Sequence, residues 1–237
     1  RNDWNSVNQA VRHSLTVQTP PPGKVAQTAL QIAANSSQFF ENKILNEPQF
    51  NPELCLQRGL SYQLRDLPEK ALADCNLVLE ADPNNISAKH CRAQVLNQLK
   101  NYEAAIDDLT SVLKLKSLAT EIQSQLRFDR AVSHNLLGNK EEAKSDLLKA
   151  IRLNPLASRN YVFLGELHQQ TGEFDKSLRA FEKSIALDSQ NPNVHRKSGI
   201  CNTYLQNHHA AIGNFSRAID LAPHRVEPVI QRGQAYL

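Results

Sequence analysis

The sequence predicts an all-α solenoid built from helix-turn-helix hairpins. Three observations carry this expectation. The first is self-similarity at a fixed period of about 34 residues. The second is a small residue at two fixed places of each repeat and a bulky one at a third. The third is composition: hydrophobic residues make up 41%, aromatics only 6%, and there are only 8 Gly in 237 residues. Chains rich in Ala and Leu and poor in Gly favour helix, because these side chains lose little rotamer freedom there.

Five segments align on the common frame, beginning near Pro52, Ile86, Ser124, Ser158 and Pro192. The steps between starts are equal except the one from Ile86 to Ser124, which is four places longer. A sixth begins near Val226 and runs to Leu237. The eighth place holds Gly59, Ala93, Ala131, Gly165, Gly199 and Gly233. A side chain no larger than methyl there lets two helices approach closely. The twentieth place is again small: Ala71, Ala105, Ala143, Ser177 and Ala211. The twenty-fourth, Cys75, Leu109, Leu147, Phe181 and Phe215, fills the space so created. Pro83, Pro155 and Pro223 stand at the thirty-second place, where proline stops the second helix. Turns fall mid-repeat, as in Leu137-Gly138-Asn139 and Thr171-Gly172-Glu173. Each repeat is therefore expected to be two helices of about 12 to 15 residues. The four extra residues around 117–123 predict a longer first helix or a longer loop in the third repeat.

The pattern resembles the tetratricopeptide repeat family in its period and in these small-residue and proline places. The fullest match is Tyr161-x2-Leu164-Gly165-x2-His168 followed by Ser177, Phe181 and Ser184. The next repeat adds Gly199, Ala211, Phe215, Ala218 and Pro223. The resemblance covers residues 52–237, as five repeats and the first helix of a sixth. It implies a right-handed superhelix whose first helices line a concave groove that binds peptides or partner domains. Residues 1–51 stand outside the frame and are expected to form a helical N-terminal segment, either a cap or a degenerate repeat. There Asp3 would cap a helix carrying Trp4, Val7, Val11 and Leu15, ended by Thr19-Pro20-Pro21-Pro22-Gly23. Residues 24–46 read as one or two helices, with Asn35-Ser36-Ser37 as the break and Phe39, Phe40, Ile44 and Leu45 as an apolar cluster.

The seventh place is Arg58, Arg92 and Arg130 in the first three repeats, and the twenty-third is Asp74, Asp108 and Asp146. Both change together afterwards, to Leu164 with Ala180 and to Ser198 with Asn214. Three Arg–Asp pairs between facing helices are expected, partly shielded from water. They are read as structural bridges rather than anchors for an acidic ligand, because each repeat supplies its own acid.

In the family the second, fifth, ninth, twelfth and thirteenth places face the groove. Here they give Leu56, Leu60 and Leu64, then His90, Gln94, Asn97 and Gln98, then Phe128, Val132 and Leu136. The later repeats supply Arg159, Glu166, Gln169, Arg196 and Tyr204. An apolar early groove for a partner's anchors is weighed equally against packing of these side chains on neighbouring helices. The carboxylate clamp of some co-chaperones needs Lys and Asn where Leu56 and Leu60 stand, Asn at Cys91, and Lys and Arg in the third repeat, which offers Gln125 and Asp129. Val162, Glu166, Arg196 and Ile200 do not restore it in later registers, so no heat-shock chaperone tail is expected. An asparagine ladder like that of the nucleocytoplasmic sugar transferase with these repeats is also missing.

No Gly-rich phosphate loop, H-E-x-x-H or G-x-S-x-G occurs, and His134, His168, His208 and His209 lack metal-ligand company. No enzyme activity, metal or cofactor is expected. A net charge of +3 without a Lys/Arg block gives no nucleic-acid footprint. No apolar run approaches the length that a membrane span needs. Cys55, Cys75, Cys91 and Cys201 have no disulfide framework and read as reduced thiols of an intracellular, cytoplasmic protein. The chain opens on Arg1 and holds no Met, so a fragment of a longer product is expected. The helix at its end should meet further repeats, a partner or a second copy. The expected function is a protein-binding scaffold; the alternatives are the recognition arm of a larger enzyme or transport machine, and a ciliary or cytoskeletal component.

Overall fold

The computed structural model describes residues 23–46, 50–115 and 117–236. Twelve α-helices and no strand occur among them. The expected N-terminal helix around Trp4 lies outside the described residues. Helix α1 spans Gly23–Asn46. The first repeat is α2 (Pro52–Leu64) and α3 (Pro68–Ala81), and the second is α4 (Ile86–Gln98) and α5 (Tyr102–Leu113). The third is α6 (Thr120–Leu137) and α7 (Lys140–Leu153), and the fourth is α8 (Ser158–Gln170) and α9 (Phe174–Leu187). The fifth is α10 (Pro192–Tyr204) and α11 (His208–Leu221), followed by α12 (Glu227–Ala235). None of these helices is long and apolar enough to cross a membrane.

The starts follow from capping chemistry. Asn51 and Asn85 accept from the backbone N–H of Leu54 and Ala88 at 3.2 and 3.0 Å, which satisfies one orphan donor each. Pro52 and Pro192 stand in the first turn, where the missing N–H costs nothing. The second helices α3, α7 and α11 stop two residues before Pro83, Pro155 and Pro223. At the turn between the helices, the fifteenth place has positive φ in every repeat: Asp66 (56°), Lys100 (62°), Gly138 (93°), Gly172 (74°) and Gln206 (61°). Two of the five are glycine, the residue this backbone favours.

Two expectations resolve here. The extra residues before the third repeat lengthen α6 to 18 residues, one turn beyond the 13 of α2, α4, α8 and α10. Residues 24–46 form one helix, without a break at Asn35-Ser36-Ser37. Ser37 returns its hydroxyl to the Ala34 carbonyl at 3.0 Å, so the helix continues through a serine that satisfies itself.

The described residues form two compact units, one ending at Leu115 and the other following it. In the first, α1 packs on α2, and each later helix packs on the one before it. Its core joins Cys55, Leu56, Cys75, Val78, Leu79, Ala88 and Cys91. In the second unit, α6 to α12 stack in the same serial way, and each hairpin closes on a twenty-fourth-place side chain: Leu147, Phe181 and Phe215, all at most 1% exposed. Ser177, where other repeats have Ala, donates to the Gly165 carbonyl at 2.7 Å and so is buried at little cost.

Candidate protein-binding face

In the first unit the groove places of the first repeat are taken up by packing. Leu56 is only 7% exposed, in the core cluster, and Leu60 packs half-buried on that cluster together with Ile44 of α1. Of the two alternatives weighed for these side chains, packing is the one that the burial of Leu56 favours, and Ile44 of α1 packs on the same cluster. Two further contacts fix α1 there. The Tyr62 hydroxyl donates to Glu41, and Arg65 Nη1 donates to Ser37 Oγ at 2.6 Å. Burial, and then the Glu41 carboxylate, push the Tyr62 phenol up to about 12. In the second repeat, His90 and Gln94 contact each other at 3.2 Å along one face of α4.

In the second unit the first helices α6, α8 and α10 are linked by side chains across neighbouring repeats. Arg159 donates to Gln125, joining α8 to α6. Lys197 donates to Glu166, and Gln169 Nε2 reaches Cys201 Sγ at 3.9 Å, joining α10 to α8. The rings of Phe128 and Phe163 meet edge to face at 5.7 Å, and the Arg159 guanidinium lies 4.7 Å from the Phe128 ring centre. Phe128 and Val132 are half-buried and Leu136 is 47% exposed. The face thus presents an apolar patch beside a strip of paired charge. Phe163 and Lys197, both at the sixth place, belong to it and were not singled out from the sequence. Their signal is geometric, since the sixth place meets the adjoining first helix only once repeats are stacked. Arg196 is half-buried, and its charge joins burial in lowering the Arg225 guanidinium from its ordinary value, burial being the larger cause. Tyr204 ends α10. Its ring stacks on Phe174 at 4.2 Å and an interplanar angle of 6°, with 65% of the residue exposed.

The seventh-place arginines face the twenty-third-place aspartates through two bonds each. Arg58 Nε and Nη2 donate to Asp74 at 3.0 and 2.6 Å, Arg92 donates to Asp108 at 2.7 and 2.7 Å, and Arg130 donates to Asp146 at 2.6 and 2.8 Å. Asp146 also accepts from Arg127 at 3.3 Å. The bonds to aspartate raise the Arg58 and Arg92 guanidinium groups above their ordinary value, against the opposing effect of burial. Arg92 Nη1 reaches back to Asn76 of the first repeat at 3.1 Å. These carboxylates point at their own arginines, which leaves little for a ligand to engage.

The other chemistry-bearing side chains are held in packing. Cys55, Cys75, Cys91 and Cys201 are all buried and unpaired. Burial pushes the Cys55 and Cys201 thiols up, and the contact with Cys91, then burial, pushes Cys75 up. His134 is held below its ordinary value by burial, and His168 is buried against Glu173 at 2.5 Å. Glu173 is held down to about 2 by bonds to Lys176 and then His168.

A family model described as tetratricopeptide repeat matches residues 124–155 and 158–191, the third and fourth repeats. Tetratricopeptide repeat protein 6 of Homo sapiens is 29% identical over 148 residues, covering 62% of this chain and 28% of that protein. The chain thus spans under a third of that relative's length. Among solved structures, a tetratricopeptide repeat protein from Parabacteroides merdae ATCC 43184 superimposes with a TM-score of 0.68 at 17% identity, over 99% of this chain and 93% of the other. YrrB, described as a TPR protein with an unusual peptide-binding site, gives a TM-score of 0.58 at 18% identity, over 85% of this chain and all of the other. At these identities the structural likeness concerns the fold.

Proposed function

We propose that this chain, whose third and fourth repeats match the tetratricopeptide repeat model, is a member of that family and a non-catalytic scaffold that binds a protein or peptide on the face lined by its first helices. The observation that carries this reading is the patch on α6 and α8. Phe128 and Phe163 offer rigid apolar surface, and Arg159 and the Glu166–Lys197 pair border it with charge. Such a surface suits an extended or helical segment with one apolar anchor and polar flanks. The peptide site in the description of YrrB supports the same use of the fold, though it is a property of that protein. The second unit is favoured over the first as the binding region, since Leu56 is consumed by its own core. Unpaired thiols at all four cysteines support a reducing, cytoplasmic setting.

The test is a peptide-display selection on the whole chain. Selected peptides should lose binding about tenfold or more on Phe128→Glu and on Val132→Glu, with helical circular dichroism unchanged. Equal binding to both folded variants would remove the assignment.

A further inference from the structure

Charge along the first-helix face of the second unit is unbalanced. On α8, on α10 and in residues 222–227 the charged side chains are Arg159, Glu166, Arg196, Lys197, Arg225 and Glu227, four cations against two carboxylates. Lys197 already takes the carboxylate of Glu166.

Arg196 stands at the centre of the excess. It is half-buried on α10, which has a first helix on either side: α8, joined through Lys197 and Glu166, and α12. Its setting is therefore that of an inner repeat. Arg196 makes no hydrogen bond or ion pair with a described residue. Glu227 is exposed and forms no ion pair with it.

A second guanidinium lies close by. Arg225 Nη1 donates to Asn193, one turn of α10 before Arg196, which brings Arg225 back onto this face. Burial lowers the Arg225 guanidinium from its ordinary value, Glu227 opposes this, and the charge of Arg196 adds to it. Two like charges held together on a half-buried surface favour an anion beside them.

The repeat frame sets the distance from this pair to the apolar patch. Phe128 and Arg196 both occupy the fifth place, in the third and fifth repeats. They are two first helices apart. Packed helices stand about 8–10 Å from each other, so the step is about 16–20 Å. An extended chain covers that in about five or six residues.

We propose that the segment held on this face is acidic and keeps a fixed register: an apolar anchor on the Phe128–Phe163 patch, and an Asp or Glu side chain about five or six residues away on Arg196, with Arg225 beside it. This rests on the binding face proposed above and names the partner's chemistry. A side-chain carboxylate accepts two bonds from the guanidinium fork. The anchor supplies affinity by burial, and the carboxylate supplies specificity and faster encounter. The arrangement differs from the co-chaperone clamp, since Ile200 stands where that clamp needs Asn.

The experiment selects displayed random peptides on the whole chain and on its Arg196→Glu variant. The whole chain should enrich peptides with Asp or Glu about five or six residues from an aliphatic or aromatic anchor, and Arg196→Glu should enrich Lys or Arg at that distance. One selected peptide is then labelled and titrated by anisotropy. Replacing its acid by the amide should weaken binding to the whole chain about tenfold, and to Arg196→Leu less than about twofold. Arg196→Leu should keep its helical circular dichroism, because this side chain bonds nothing in the fold. Selected peptides without an acid at this spacing overturn the register. So does an acid whose removal costs the same on both chains. In either case, binding that is lost on Phe128→Glu leaves the face itself standing, whereas peptides indifferent to Phe128→Glu remove the face and the register together.

Discussion

The ring of Phe181 lies where any side chain on Gly165 would have to go: a Cβ built there falls 2.5 Å from Cε1 and 2.7 Å from Cδ1. Gly199 and Phe215 repeat the relationship at 2.6 Å. Where the twenty-fourth place is Leu109 or Leu147, the eighth is Ala93 or Ala131. The two places trade volume within the second to fifth hairpins, whereas the first pairs Gly59 with the small Cys75.

Gly165→Ala should therefore destabilise by about 1–3 kcal/mol, as expected for overpacking around a fully buried ring. At Gly59 the nearest atom is Asp74 Cβ at 3.4 Å, an ordinary contact, so Gly59→Ala should be neutral or gain from helix propensity. Adding Phe181→Leu to Gly165→Ala should recover part of the loss. Urea denaturation of the two singles and the double gives the coupling, and purely additive effects would contradict the close fit.

At the fifteenth place, Lys100 and Gln206 hold the left-handed backbone that Gly138 and Gly172 adopt without strain. That backbone costs a non-glycine residue about 1–2 kcal/mol, while glycine's extra freedom in the unfolded chain returns about 0.5–1 kcal/mol of this. Lys100→Gly and Gln206→Gly should each stabilise by about 0.5–1 kcal/mol. A lower melting temperature for both would be inconsistent with the left-handed backbone at these residues.

Removing one member of the Arg58–Asp74 pair leaves a shielded charge alone. Asp74 is 3% exposed on its side chain and Arg58 18%. Asp74→Ala should cost about 2–3 kcal/mol, below the range for fully buried pairs because the arginine retains some water. The double change Arg58→Leu with Asp74→Ala copies the fourth repeat, which holds Leu164 and Ala180 at these places. It should cost less than Asp74→Ala alone, which calorimetry of the three variants can decide.

Glu173 titrates at about 2 in the folded chain, below its ordinary 4.5, because Lys176 and then His168 bond its carboxylate. A depressed folded value means the carboxylate stabilises the fold above pH 4.5 and loses that contribution as pH falls toward 2. Carbon-detected NMR should place the Glu173 midpoint near 2, and Lys176→Ala should raise it. A midpoint at the ordinary value would show that these bonds do not persist in solution.

The frame was legible because it is local. The volume exchange between the eighth and twenty-fourth places happens inside one hairpin, and the starts at Pro52, Ile86, Ser158 and Pro192 are marked by proline or by a capping asparagine before them, except at Ser158, which Pro155 announces. The left-handed turns at Asp66, Lys100 and Gln206 were hidden, since their side chains give no sign of positive φ. Whether the extra residues before Ser124 would extend helix or loop was open for the same reason. The candidate face was the least legible part. Ile44, from a segment outside the frame, packs on the core cluster that contains Leu56, and the links from Gln125 to Arg159 and from Glu166 to Lys197 exist only between stacked repeats.

Arg92 grips Asp108 in its own hairpin and Asn76 in the one before. A linear array can fray from either end, one hairpin at a time, unless neighbours are made to melt together. A guanidinium shared in this way acts as a rivet through two adjoining pieces, so the first and second repeats should unzip as one cooperative step.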